Sequence, residues 1–294
     1  MVKKLSLDLF KKIMLKFQRA EATGAAIYLY CANHTKDERN KKILQKIAME
    51  EASHTEIWSK YTGKVLKPNR LKVFWNIILF HLLGYTFVLK ILESREYSDV
   101  EGLSAVIHMA PEVEGIINQE AEHEHMLKDV LDEERLNYIG AMVLGLNDAL
   151  VELTGSIAGL TFVLMNTMLI AMSGIIMGIA ATLSMAASNY LAEKADGNPK
   201  ALKASVYTGI TYFFTVIFLV LPYLIYPKDA YLYALITMIF VVVFLIFVFN
   251  YYISVVKSKP FWSRFFEMTG ISLSVAVISF LIGMLAKYFL GVDV

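Results

Sequence analysis

Two short segments with the same spacing decide how the first half of this chain folds: EASH at residues 51–54 and EAEH at residues 120–123. In each segment a glutamate precedes a histidine by three positions, so in an α-helix both side chains project from one face. The first pair continues an apolar stripe of helical period that includes Leu44, Ile47 and Trp58. An unpaired carboxylate on a core-facing stripe is costly, so the pattern predicts helices that share a bound cation.

Two further helical stripes in the same half also place glutamates among apolar residues. Glu21 lies on the first predicted helix, and Glu93 and Glu96 lie on the third. Two Glu-x-x-His pairs with glutamates from two more helices are the ligand set of a di-iron or di-manganese four-helix bundle. The predicted ligands are Glu21, Glu51, His54, Glu93, Glu96, Glu120 and His123.

The fourth predicted helix offers a second register for its histidine pair. Glu122 and His125 have the same spacing, but they share a polar face with Asp129. Glu120 and His123 instead continue the apolar stripe that a core-facing helix requires. We therefore assign the site to the latter pair and expect the former to face solvent or to surround the site.

The pattern over residues 8–134 resembles the rubrerythrin branch of the ferritin-like superfamily, whose third helix carries two glutamates three apart, as at Glu93 and Glu96. This resemblance implies a ferritin-like domain with a di-iron site, or one that holds manganese. Rubrerythrins often add an iron site with four cysteines, which a chain with the single Cys31 cannot form. Electron delivery by that route is not expected, and ferroxidase activity of the domain stays open.

Charge is distributed very unevenly along the 294 residues. Residues 1–137 hold 20 of 28 Lys+Arg, 20 of 27 Asp+Glu and all six His, although 56% of the whole chain is hydrophobic. This asymmetry predicts two domains, 1–137 and 138–294, joined by a continuation of the fourth helix. The net charge of +1 and the lack of a basic stripe argue against nucleic acid as a partner.

The second half is apolar enough to cross a bilayer several times. A spanning helix needs about 20 mostly apolar residues to cross a hydrocarbon core of roughly 30 Å. This criterion places five spans at roughly 138–165, 168–192, 204–226, 230–256 and 267–289.

The cationic loops predict the orientation of these spans. The loops after the second and fourth spans carry three Lys or Arg each, whereas the opposite loops carry little charge. Residues 1–19 lack the uninterrupted apolar region of a cleavable signal peptide. We expect a multi-pass protein of the cell membrane with a cytoplasmic N-terminal domain.

Two carboxylates interrupt the first predicted span, Asp148 and Glu152, one helical turn apart. A carboxylate near mid-membrane costs several kcal/mol and usually belongs to an ion pathway or a proton relay. The alternative is that both residues lie near the cytoplasmic end of the span and reach water.

The segments GLNDALV (145–151) and SMAASNYL (184–191) resemble the vacuolar iron transporter family, as do the number and order of the five spans. The resemblance implies a divalent-metal pathway at a homodimer interface, lined by Asp148 and Met185. Carboxylate oxygen beside thioether sulfur suits Fe(II) better than Mg²⁺ or Ca²⁺. Proton coupling through Asp148 or Glu152 is an expectation from the resemblance alone.

The chain also departs from that family. Family members often carry a glutamate eight residues before the methionine, where this chain has Met177. Our hypothesis is that Glu152 supplies the missing carboxylate. Plant-type relatives insert a metal-binding helix after the second span, but here the connector 193–203 is short. A metal-collecting domain must therefore lie elsewhere. The predicted pathway residues are Asp148, Glu152, Met177 and Met185.

Two other patterns leave alternatives open. Small residues at 155–159 and 174–178 have the spacing that lets helices approach closely, either within one chain or across a dimer. Segment Val73–Leu92 is nearly long and apolar enough to cross the membrane, which would separate Glu51 from Glu93. We favour a buried third helix there, beside a dimer partner or the bilayer surface.

These patterns predict an all-α protein, a ferritin-like four-helix bundle followed by a five-helix transmembrane bundle. The predicted function is export of Fe(II), or Mn(II), from the cytoplasm, with the first domain capturing, sensing or oxidising the ion. The alternative is a membrane-anchored di-iron oxidase or peroxidase whose spans are only an anchor. Passive metal storage is a third interpretation, with no visible means of forming a cage.

Overall fold

The computed structural model describes residues 7–103, 109–130 and 138–290, with the backbone alone at 7, 9, 95–103, 128–129, 286–287 and 290. The described residues form ten α-helices and no strand, so the prediction of an all-α chain is confirmed. The chain divides into two compact units, Met1–Glu133 and Glu134–Val294. The predicted continuation of the fourth helix into the second domain lies outside the described residues.

Five helices form the first unit, and side chains cap two of them. Asp37 caps the second helix by accepting a hydrogen bond from the Asn40 backbone N–H at 2.8 Å, and Asn69 caps the third. The helices are α1 (Leu7–His34), α2 (Glu38–Thr62), α3 (Arg70–Leu83), α4 (Tyr85–Leu103) and α5 (Glu112–Val130).

Four of these helices enclose the core of the first unit. α1 packs on α2, α2 on α5, α5 on α4 and α4 on α1, which closes a ring. Two apolar clusters fill its interior: one contains Phe17 and Trp58, the other Tyr28 and Leu44. Because α1 passes from the first cluster to the second and α2 passes back, these two helices are antiparallel. Residues near 21 on α1 and 51–54 on α2 therefore lie between the clusters.

The third predicted helix differs from the structure in its extent. A glycine breaks it into α3 and α4, because Gly84 has φ 92° and ψ 166°, a conformation that favours glycine. The α4 half buries Phe87, Val88 and Leu89 in the core of the unit. α3 has only 14 residues, or about 21 Å, which is too short for a core of roughly 30 Å. The described structure thus gives no support to a span at 73–92.

The second unit contains five long apolar helices. Each is long and apolar enough to cross a membrane, so the predicted number of spans is confirmed and the chain is a multi-pass membrane protein. The last helix begins at Phe261, earlier than predicted. The helices are α6 (Ile139–Leu164), α7 (Thr167–Ala195), α8 (Ala201–Ile225), α9 (Tyr231–Lys257) and α10 (Phe261–Leu290).

Both glycine motifs of the membrane unit are used for packing within one chain. A Cβ at Gly159 on α6 would lie 3.1 Å from the backbone oxygen of Ser279 on α10, and one at Gly283 would lie 2.7 Å from that of Gly159. On α7, a side chain at Gly178 would collide with Val216 of α8. The absence of side chains lets the backbones of α6 and α10 come into contact, and on α7 it leaves room for the Val216 side chain of α8.

Candidate metal centre

Acidic and imidazole side chains from α1, α2 and α5 converge between the two apolar clusters of the first unit. Glu21, Glu51, His54 and Glu120 each offer one ligand atom, and these four atoms lie within 4.8 Å of one another. Glu51 is 1% exposed, and His54 and His123 are fully buried. The structure therefore brings together five of the seven residues predicted as ligands.

The five side chains define two positions that share one carboxylate. His54 Nδ1 lies 3.4 Å from Glu21 Oε2 and 3.3 Å from Glu120 Oε1. His123 Nδ1 lies 3.4 Å from Glu51 Oε1 and 3.5 Å from Glu120 Oε2. The two imidazole rings are inclined by 29° to each other, with centroids 6.0 Å apart. Glu120 thus lies between the histidines and turns one oxygen toward each.

The separations between these atoms suit a transition metal. Within the described part of the chain, Nδ1 of His54, Nδ1 of His123 and Oε2 of Glu120 are buried and form no hydrogen bond. Ligand atoms about 2.0 to 2.2 Å from a tetrahedral or octahedral ion lie about 2.8 to 3.6 Å from one another. The observed 3.3 to 3.5 Å fall in that range. Imidazole and carboxylate donors are ligands that Fe(II) and Mn(II) accept.

A reciprocal pair of hydrogen bonds orients the two histidines. His54 on α2 bonds through Nε2 to Gln119 Oε1 on α5 at 2.7 Å, and His123 on α5 bonds through Nε2 to Glu50 Oε2 on α2 at 2.9 Å. In each case Nε2–H donates to an oxygen, so in the neutral imidazole the Nδ1 lone pair faces the cluster. Sequence reasoning missed Glu50 and Gln119. A signal was present, since each immediately precedes the glutamate of a Glu-x-x-His pair.

Opposite charges inside the cluster shift the pKa values of its members. Burial acts to lower the pKa of His54, but Glu120 and Glu21 outweigh it and raise that pKa to about 10. The pKa of His123 is also raised, because Glu120 and Glu50 outweigh burial. For Glu120 burial acts to raise the pKa, yet the two histidines lower it. His54 therefore carries a proton at neutral pH in the metal-free cluster, and a metal that binds its Nδ1 must displace that proton.

Two neighbouring residues support the carboxylates of the cluster. Trp58 Nε1–H donates a hydrogen bond to Glu21 Oε1 at 3.2 Å, which anchors this carboxylate from the apolar side. Gly24, one turn beyond Glu21 on α1, leaves room for Glu51, because a Cβ there would lie 3.3 Å from Glu51 Oε2. Tryptophan and glycine thus shape the space that the carboxylates occupy.

The two other predicted ligands, Glu93 and Glu96, and the alternative pair Glu122 and His125 are not among the converging side chains described above. Glu93 on α4 accepts a hydrogen bond from Lys90 Nζ at 2.7 Å and is not one of the converging residues. The side chain of Glu96 lies outside the described residues. Glu122 and His125 are exposed on α5. The role of Glu93 and Glu96 as ligands stays a prediction.

The membrane unit has carboxylates of its own on α6. Tyr212 on α8 donates a hydrogen bond from its hydroxyl to Glu152 Oε2 at 3.0 Å. Asp148, one turn earlier, is partly buried, whereas Glu152 is exposed on the single chain. α6 has 26 residues and is therefore about 39 Å long, which places Glu152 near its middle. This depth argues against the alternative in which both carboxylates lie at the water-facing end of the span.

The two methionines of the predicted pathway lie on α7. Met177 and Met185 are both partly buried and pack against the apolar core of the membrane unit. They are two helical turns apart, so both lie toward the same side of α7. A thioether in that position is equally suited to packing and to contact with a soft metal ion.

Similarity to known proteins is found for the helix pair α6 and α7. Residues 139–199 match the VIT family. The match covers about a fifth of the chain and includes Asp148, Glu152, Met177 and Met185. It supports membrane transport of iron or manganese by the second unit. No curated protein and no solved structure matches the chain.

Proposed function

We propose that this chain exports Fe(II), or Mn(II), from the cytoplasm, and that its first unit is a ferritin-like domain that collects the ion at a di-metal site. The observation that carries the proposal is a buried cluster of three carboxylates and two histidines in a chain whose membrane unit matches the VIT family. The cell membrane is the proposed location, with the first unit in the cytoplasm.

The order of the helices supports a ferritin-like arrangement for the first unit. α2 runs from the cluster of Leu44 to that of Trp58, and α4 begins in the cluster of Leu44 at Val88. Ala110, after α4, belongs to the cluster of Trp58. α2 and α4 therefore run in the same direction, which requires one long crossover between them. α3 is that crossover, and one long crossover is typical of ferritin-like bundles.

The near-symmetry of the cluster supports a fourth carboxylate ligand. The outer hydrogen bonds are reciprocal between α2 and α5. We infer that the same exchange relates α1 to α4. Glu21 on α1 should then have a counterpart on α4, for which Glu93 and Glu96 are the candidates.

The metal content of the purified chain tests whether α4 supplies a fourth carboxylate ligand. We expect Glu21→Gln to lose the ion beside His54 and either Glu93→Gln or Glu96→Gln to lose the ion beside His123. Glu122→Gln, on the exposed face of α5, is the matched control and should keep both. Full metal content in both α4 variants would refute the fourth ligand, without affecting the three described carboxylates.

In the membrane unit, we infer a pathway along Asp148, Glu152 and Met185 at the interface of a homodimer. Glu152 is exposed on the single chain near the middle of a spanning helix, and a carboxylate facing lipid at that depth is costly. A second copy of the chain, or water along the pathway, would remove that cost. Glu152 also supplies the carboxylate that the family places at the position of Met177. Protons exchanged for the ion would titrate Asp148 or Glu152.

Simultaneous measurement of uptake and oxidation tests the function and its main alternative. The full chain is reconstituted into vesicles, Fe(II) or Mn(II) is supplied, and both the ion inside and Fe(III) outside are recorded. A transporter accumulates the ion in an Asp148-dependent manner. A membrane-anchored oxidase or peroxidase forms Fe(III) without accumulation, which would refute the export proposal. Glu152→Gln should abolish uptake, whereas Tyr212→Phe, which removes only the hydrogen bond to Glu152, should reduce it less.

A further inference from the structure

Helix α3 presents an apolar face to its surroundings. Its other face packs onto the unit, because Val73, Leu79 and Phe80 contact the cluster of Leu44. The outward residues follow the spacing i, i+3, i+4, i+11, which is one stripe along a helix. More than half of each of these side chains is exposed: Leu71, Phe74, Trp75 and Leu82. α3 is therefore apolar on two faces, of which the structure covers one.

The same region carries an unbalanced positive charge. Residues 57–92 contain no Asp or Glu. Around the start of α3, four cations are exposed, and none of them forms an ion pair with a described residue: Lys64, Lys67, Arg70 and Lys72. A basic cluster next to an exposed Trp and Phe is the composition of a helix that binds anionic lipid.

We propose that α3 is an interfacial helix that binds an anionic bilayer surface, with its outward stripe among the acyl chains and its cations on the lipid phosphates. The chain itself supplies a bilayer, since its five spans hold every copy in a membrane and the first unit is covalently joined to them. The stripe contains Trp75 and Phe74, and aromatic side chains favour the boundary between headgroups and acyl chains.

A second copy of the chain is the competing occupant of this face, and charge disfavours it. A symmetric interface brings the same patch of both copies together. Eight cations would then meet across the interface, without one acidic residue from segments 57–92 to balance them. A lipid surface with negative headgroups has the opposite charge and needs no such balance.

Collision rates of a spin label at the stripe measure this contact in the full chain. Phe74→Cys is labelled with a nitroxide in bilayers of phosphatidylcholine, with or without phosphatidylglycerol. Burial raises the pKa of the Cys31 thiol to about 12, so the native cysteine stays unlabelled. Met49→Cys on α2 is the matched control, an apolar residue that is also exposed but whose neighbour Lys46 is paired with Glu50.

In anionic bilayers we expect the label at Phe74 to collide more with oxygen and less with a water-soluble nickel chelate. The ratio of the oxygen collision rate to the nickel collision rate should be several-fold higher at Phe74 than at Met49. Lys67→Glu combined with Arg70→Glu, or high salt, should lower that ratio toward the control. Equal ratios at the two sites would refute the proposal, as would equal ratios in both lipid mixtures. A short distance between Phe74 labels of two copies in either lipid would assign the face to a dimer instead. The metal content of the cluster should not change in any of these variants, so this test fails or succeeds independently of the transport proposal.

Discussion

The two carboxylate sites of this chain differ in how much of each site one copy builds. In the first unit, Glu51, His54 and His123 are almost fully buried, and protein groups bond the outer nitrogen of each histidine. In the membrane unit, Glu152 is exposed on the single chain and Tyr212 is its hydrogen-bond donor. One site is closed within a single copy, and the other is open.

This difference suggests a division of labour between the two units. A closed, preoriented cluster holds an ion tightly, because its ligands pay little reorganisation on binding. An open pair of carboxylates on one helix face holds an ion weakly and can release it, as a pathway requires. We therefore expect variants of the first unit to change retention and those of the second to change passage.

Asp148→Asn should have the largest effect, because it removes the charge of the proposed pathway residue while keeping its shape. Ion uptake into vesicles should fall to the level of empty vesicles, while the metal content of the first unit stays unchanged. Asp196→Asn, at the exposed end of α7, is the control and should transport normally. If both units lost the ion together, the proposed separation of retention and passage would be wrong.

His54→Ala combined with His123→Ala should empty the first unit. The purified chain should lose both ions, and the change in Trp58 fluorescence on adding Fe(II) should disappear, because Trp58 bonds to Glu21 beside the site. Uptake should drop at low ion concentration and recover at high concentration, since α6 and α7 are intact. His125→Ala is the matched control on the exposed face of α5. An equal loss with His125→Ala would reverse the choice of register.

Substitutions of Glu50 and Gln119, the residues bonded to Nε2 of the two histidines, should change the metal affinity of the first unit by an intermediate amount. Outer partners of metal-bound histidines typically contribute about 10- to 100-fold in affinity. Glu50→Gln replaces a charged acceptor of His123 by a neutral one and should weaken the ion there, whereas Gln119→Glu should strengthen the ion beside His54. Competition with a chelator of known affinity measures both. If both variants raised, or both lowered, the metal affinity, the substitutions would be acting on the folding of the unit and not on the two imidazoles.

Proton release should be the smallest measurable effect. The pKa of His54 is raised from 6.5 to about 10, so its imidazole carries a proton at neutral pH without metal, and the pKa of His123 is also raised. Metal binding should release the proton of His54, with a further contribution from His123, and should become stronger as pH rises toward 10. Calorimetry in buffers of different ionisation enthalpy counts the protons. Metal binding without proton release would mean that the His54 imidazole is neutral in the metal-free site.

The same shifts predict how the metal-free first unit depends on pH. A histidine whose pKa is higher in the folded state stabilises the fold fully below its unfolded value, near 6.5. That contribution disappears as pH rises through about 10 for His54. Thermal unfolding of the metal-free chain should therefore show lower stability of the first unit in alkaline solution, and His54→Ala should flatten this dependence.

Features encoded within a few helical turns could be predicted from the sequence. The five spans depend on average hydropathy over about 20 residues, and the Glu-x-x-His pairs depend on a spacing of three. The break at Gly84 was missed, since residues on both sides of it are apolar and a periodic pattern does not report one backbone angle. The sequence pattern predicted one continuous third helix because α3 is apolar on two faces, one against the core and one outward.

By itself the sequence determined that the chain is all-α, that its second half has five helices able to span a membrane, and that Glu51, His54, Glu120 and His123 share core-facing stripes. Only the tertiary structure decided that Glu120 lies between His54 and His123, that Gln119 and Glu50 are bonded across to the opposite helix, and that α3 leaves one face uncovered. The reason is physical: helix type and burial follow from local spacing, whereas the hydrogen bonds between α2 and α5 join residues 65 or more positions apart and exist only once the helices pack.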